Sequence, residues 1–147
     1  MKTPAKKAFF EVISFPVSDT KNGALHMFQY LVGQNSSLAK ALPFQPRRIL
    51  VMKGMSGKDK RGAHTHHKTR QILICIQGSC LVSLDNGTEK ADVRLDKANE
   101  GLLLEPYVWH VMSEFAPDTI LLDIADTEYD EKDYIRDYEQ FLRLVRK

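Results

Sequence analysis

The chain has 147 residues, 43% of them hydrophobic and 27% charged, which suits one folded domain over residues 1–147 and excludes a disordered segment. Its 21 Lys and Arg against 19 Asp and Glu leave a net charge of +2, too small an excess to point to nucleic acid. No run approaches the ~20 apolar residues of a membrane span, and the basic start MKTPAKKAFF lacks a signal-peptide core, so a cytoplasmic protein with no membrane partner is expected.

Short apolar, β-branched runs follow one another at 9–15, 48–52, 71–76, 80–84, 101–104 and 119–124. Pro43 and Pro46 make the segment before Arg48 a loop, and the cationic stretch 53–61 reads as a solvated loop or a phosphate-attracting rim. Asn86-Gly87 accepts the positive φ of a tight turn, which predicts a hairpin between 80–84 and the chain after Thr88. So many short strands with little helix between them predict an all-β sandwich or barrel. Cys75 and Cys80, an odd number apart on one strand and its turn, are expected on opposite faces as free buried thiols. The tail differs: Tyr134, Tyr138, Phe141 and Leu142 fall on one helical face, predicting a closing helix over about 130–145 with Asp130 and Glu131 at its positive end.

The informative stretch is RGAHTHHKTRQ, residues 61–71. In an extended chain His64 and His66 project from one face and His67 from the other. Three readings compete: a metal site, acid/base catalysis, or solvated histidines without a role. Four residues separate His66 from Gln71 and six separate Gln71 from Gly78, the spacing of a cupin metal motif. However, Gln71 is neutral where that motif has Glu, and Val111 stands where its last His belongs. His110 lies one residue early, which on a regular strand turns it to the other face, so no metal is expected. Acid/base work suits the pair better, because an imidazole takes and returns a proton near neutral pH.

The runs RGAHTHHKTRQILICIQGSC, LDNG, GLLLEPYVWHVM and ADTEYDEKDYIRDYEQFL together resemble the sugar 3,4-ketoisomerase family over residues 43–141. The resemblance implies a cupin jelly roll, a homodimer that exchanges N-terminal strands, and no cofactor. It implies a dTDP-4-keto-6-deoxyglucose substrate whose keto group moves from C4 to C3 through an enediol, for deoxyaminosugar and surface-polysaccharide assembly. On this likeness His64 and His66 are catalytic, with His64 the base at C3 and His66 its support or the donor at C4. Arg48, Arg61, Gln71, Trp109 and His110 bind substrate, and His110 rather than Arg after the Trp resembles the galacto-forming members. The chain departs from the family at Leu50 and Val51, where an aromatic pair is usual, and at Glu105, a carboxylate free to enter the site. A 3,5-epimerase, a non-catalytic nucleotide-sugar binder and a metal-dependent oxygenase are the competing functions.

Overall fold

Alternation of inward and outward side chains sorts the strands into two five-stranded antiparallel sheets facing one another. The first runs β1 (Glu11–Ser14), β9 (Glu100–Leu104), β6 (Gln71–Gln77), β11 (Ile120–Ala125), β4 (Arg48–Met52). The second runs β12 (Tyr134–Ile135), β5 (Arg61–His66), β10 (Trp109–Ser113), β7 (Cys80–Asp85), β8 (Lys90–Leu95). A separate hairpin joins β2 (Val17–Thr20) to β3 (Gly23–His26). The computed structural model describes residues 8–30 and 41–147; most of the basic start lies outside the described residues. Among them, no helix is long and apolar enough to cross a membrane.

The main core fills the space between the sheets, with Leu73, Cys75, Leu102 and Leu121 from the first meeting Val82, Leu84 and Met112 from the second. Ile72 and Ile74 point the other way, under Ile13, Phe15, Leu42 and Phe44. Burial on both faces explains the unbroken apolar run of β6. β8 is wet on one face: Val93 and Leu95 point inward while Lys90 and Arg94 alternate outward. The hairpin at Asn86-Gly87 is present, pairing β7 with β8 from Asp85↔Lys90 to Cys80↔Leu95.

Two expectations need correction. Cys75 and Cys80 do not sit on opposite faces of one strand. The turn at Gly78 (φ +79°), where an added Cβ would lie 2.3 Å from Thr119 Oγ1, carries the chain from one sheet to the other. Both thiols therefore enter the same core and are free, Cys75 Sγ donating to the Gln77 carbonyl at 3.2 Å. The closing helix is also shorter than 130–145. Asp130 caps only a 3-10 turn at Glu131–Asp133, the chain then extends as β12 to pair Tyr134 with His66 and Ile135 with Thr65, and Asp137 starts α1 at Tyr138–Val145. Two acidic caps seven residues apart serve two elements, and the strand between them closes the edge of the second sheet.

Candidate active site

The pocket is built on a backbone irregularity. Gly62 (φ +83°) and Ala63 (φ +55°) both take the left-handed conformation, and the β5–β10 register shifts between His110 and Val111. This bulge sets His110 opposite His64 and turns its ring inward, so the expectation that a one-residue offset sends His110 to the other face does not hold. Gly62 is required there: a Cβ would stand 2.8 Å from the His110 carbonyl oxygen.

Three imidazoles consequently converge. The ring of His64 lies 5.1 Å from that of His66 and 4.7 Å from that of His110, and one ring nitrogen of each is within 4.8 Å of the others. Each Nδ1 has its own acceptor: the Gly62 carbonyl for His64 (3.1 Å), the Val108 carbonyl for His110 (3.1 Å) and Asp133 Oδ2 for His66 (3.1 Å). An N–H donated at Nδ1 leaves the Nε2 lone pairs facing the pocket. Gln71 Nε2 lies 3.3 Å from that of His110, whereas Nε2 of His66 is buried without a partner. Tyr134 leans on both His64 and His66, with ring centroids 5.0 and 4.4 Å away, and Arg136 sits 4.3 Å above Tyr134.

The electrostatics keep His64 and His110 neutral and ready to accept protons. Burial, reinforced by the charge of His66, pulls His64 down to about 4. Burial and the charge of His64 bring His110 to about 3. His66 is also lowered by burial, but the Asp133 carboxylate opposes the shift, so His66 is the member with a built-in counter-ion for an imidazolium. Asp133 stays ionised: burial pushes it up, but bonds from Thr69 Oγ1, the Lys68 N–H and His66 outweigh that and hold it below the usual range. Arg48 supplies positive charge that reaches His66, its Nε buried and unpartnered. The three histidines can offer three imidazole nitrogens to a divalent cation. Gln71, the next group in reach, adds no charge to balance it.

The structure gathers His64, His66, His110, Gln71 and Arg48 but leaves out the other expected residues. Arg61 lies at the exposed start of β5, paired with Met112. Trp109, expected to bind substrate, faces away from His110 and packs at 5.2 and 5.6 Å on Tyr138 and Phe141 of α1. Glu105 does not enter the pocket either, because Arg70 holds both its oxygens at 2.9 Å. His67 faces away as expected and meets the Tyr107 hydroxyl at 3.1 Å. A groove of about 520 Å³ lies on the outer face between Lys90, Trp109 and Tyr138, on the far side of the sheet from the imidazoles. Asp133 and Tyr134 were missed because a helical reading of 130–145 gave them no reason to reach β5.

A jelly roll with an inward-facing cluster of oriented imidazoles defines the class: a cupin equipped for proton transfer. Residues 10–146 match the family model described as "FdtA: WxcM-like, C-terminal". A TDP-4-oxo-6-deoxy-alpha-D-glucose-3,4-oxoisomerase from Aneurinibacillus thermoaerophilus is 36% identical over 125 residues, covering 82% of this chain and 90% of that protein. The chain belongs to this family of WxcM-like sugar 3,4-ketoisomerases. Among solved structures, a 3,4-ketoisomerase from Helicobacter canadensis superposes with a TM-score of 0.86 at 30% identity, covering 96% of this chain and 100% of that one. A mutant of the 3,4-ketoisomerase QdtA from Thermoanaerobacterium thermosaccharolyticum in complex with TDP-4-keto-6-deoxyglucose gives 0.84 at 28% identity, covering 93% and 94%.

Proposed function

We propose that this chain moves the keto group of dTDP-4-keto-6-deoxyglucose from C4 to C3, forming a 3-keto-6-deoxyhexose of galacto configuration. The observation that carries the reading is the trio of inward Nε2 atoms, two of them, on His64 and His66, backed by different Nδ1 acceptors. The isomerisation needs two proton relays, one between carbons and one between oxygens. His64, neutral and without a carboxylate partner, takes the C3 proton, which the C4 carbonyl acidifies, and after exchange with solvent delivers a proton to C4. His66, whose imidazolium Asp133 stabilises, gives a proton to the C4 oxygen and recovers one from the C3 hydroxyl. Electrons and protons balance within the sugar. Arg48 faces the developing enediolate charge, and His110 with Gln71 holds the face on which C4 is reprotonated.

The decisive experiment follows dTDP-4-keto-6-deoxyglucose by NMR in D₂O with chelator-treated protein. A 3-keto product labelled at C4, at a rate unchanged by EDTA, is expected. Label at C5 would favour an epimerase, unlabelled sugar a binder, and loss of turnover on chelation a metal centre at the three histidines.

The active form is proposed to be a homodimer with exchanged N-terminal strands. β4 is an edge strand and leaves Ile49 63% and Val51 59% exposed, and the β2–β3 hairpin leaves Leu25 59% exposed. An apolar edge of this kind, unpaired among the described residues, invites a partner strand. Ile49→Asp is expected to convert a dimer to monomer by light scattering; a wild-type monomer would refute the arrangement.

A further inference from the structure

One buried acid on the wall opposite the histidines has no role in the mechanism above. The inward row of the first sheet is fixed by register: Asp123 pairs with Leu50 on one side and Leu73 on the other, and the neighbouring row is Arg48, Ala125 and Gln71. Partners directly across an antiparallel ladder share a face, and Leu73 belongs to the core between the sheets. Asp123 therefore points into the barrel, one same-face step of about 7 Å along the strand from the row carrying Arg48 and Gln71. Gln71 in turn touches His110.

Asp123 is 7% exposed, and its Oδ1 is buried with no hydrogen-bond partner. Unpaired polar atoms of this kind are costly in a finished core. Arg48 Nε and His66 Nε2 are buried and unpartnered in the same way, and the charge of Arg48 is felt by both Asp123 and His66. Asp123 Oδ1 and Arg48 Nε on the first sheet and His66 Nε2 on the second thus border the space between the two facing sheets, beside Leu50, which is 40% exposed. Their common explanation is a polar ligand that satisfies them together. Burial, partly offset by Arg48, pushes the Asp123 carboxyl up to about 7, so near neutrality it can both accept and donate a hydrogen bond. A ring hydroxyl asks for that dual capacity.

We propose that Asp123 is a substrate-contacting, specificity-determining residue that hydrogen-bonds a ring hydroxyl of the hexose, across the barrel from the histidines. This rests on the functional reading above and adds a residue to it. The discriminating measurement is a pair of affinities, for the keto-sugar nucleotide and for TDP alone, which has no hexose. Asp123→Asn and Asp123→Val are expected to weaken sugar-nucleotide binding about 10-fold and more than 10-fold respectively, leaving TDP affinity unchanged. Both variants are expected to melt at or above the wild-type temperature, because an unsatisfied buried acid has been removed. Equal losses for both ligands, or a lower melting temperature with unchanged sugar selectivity, would make Asp123 structural and overturn the inference. Wild-type protein that fails to bind the sugar nucleotide at all would overturn the functional reading and this inference together.

Discussion

Replacing His64 with Asn is expected to lower kcat by about 10³-fold while leaving nucleotide-sugar affinity within a few-fold of wild type. The ring of His64 is half-buried, its Nδ1 facing the Gly62 carbonyl at 3.1 Å. The Asn amide keeps a hydrogen-bonding group near the Gly62 carbonyl but has no lone pair basic enough to take a carbon-bound proton. The variant should therefore fold, bind and stop. In D₂O it should leave C3 unlabelled, because exchange at carbon needs this base. His66→Asn should behave differently: slow labelling at C3 survives, since carbon exchange requires only the enolate, but 3-keto product fails to accumulate without the oxygen-to-oxygen relay. If His64→Asn labels C3 at the wild-type rate, the carbon base is another member of the trio, and His66 inherits the role.

Much of this was legible in the chain itself, and the failures share a cause. β4 begins and ends where its apolar run does, at Arg48 and Met52, because Pro46 and the polar stretch after Met52 mark its ends locally. His64 and His66 could be set on one face by counting, since a strand has period two. His110 could not be placed by counting, because the bulge at Gly62-Ala63 breaks that period and no residue near His110 announces it. Asp133 was hidden for a similar reason. Its neighbours Tyr134 and Tyr138 have helical spacing, and only pairing with β5 pulls the segment straight. Asp123 sits inside an apolar run and reads locally as an interruption of a strand; its meaning depends on Arg48, brought beside it by β4–β11 pairing. Local signals locate elements, whereas the site is made by contacts between elements far apart in sequence.

Asp133→Asn tests the part of the site that arises from such a distant contact. Oδ1 of Asp133 accepts the Lys68 N–H at 2.9 Å, and Oδ2 faces both Thr69 Oγ1 and His66 Nδ1. An Asn that keeps the Lys68 bond turns its NH₂ toward His66, so Nδ1 must now accept and the ring proton moves to Nε2. The imidazolium that gives its Nε2 proton then loses its counter-ion, and kcat should fall on the order of 10²-fold without loss of folding. The pH profile carries the sharper signature. His66 acts as an acid only when protonated, so activity declines as pH rises through its pKa. Burial lowers that pKa and Asp133 raises it. With the carboxylate gone, the pKa falls further, and the alkaline decline should move to lower pH. An unchanged profile with reduced kcat would mean that Asp133 merely ties β5 to the tail. A decline moved to higher pH would contradict the His66–Asp133 relay, because removing an anion cannot stabilise the imidazolium it faced.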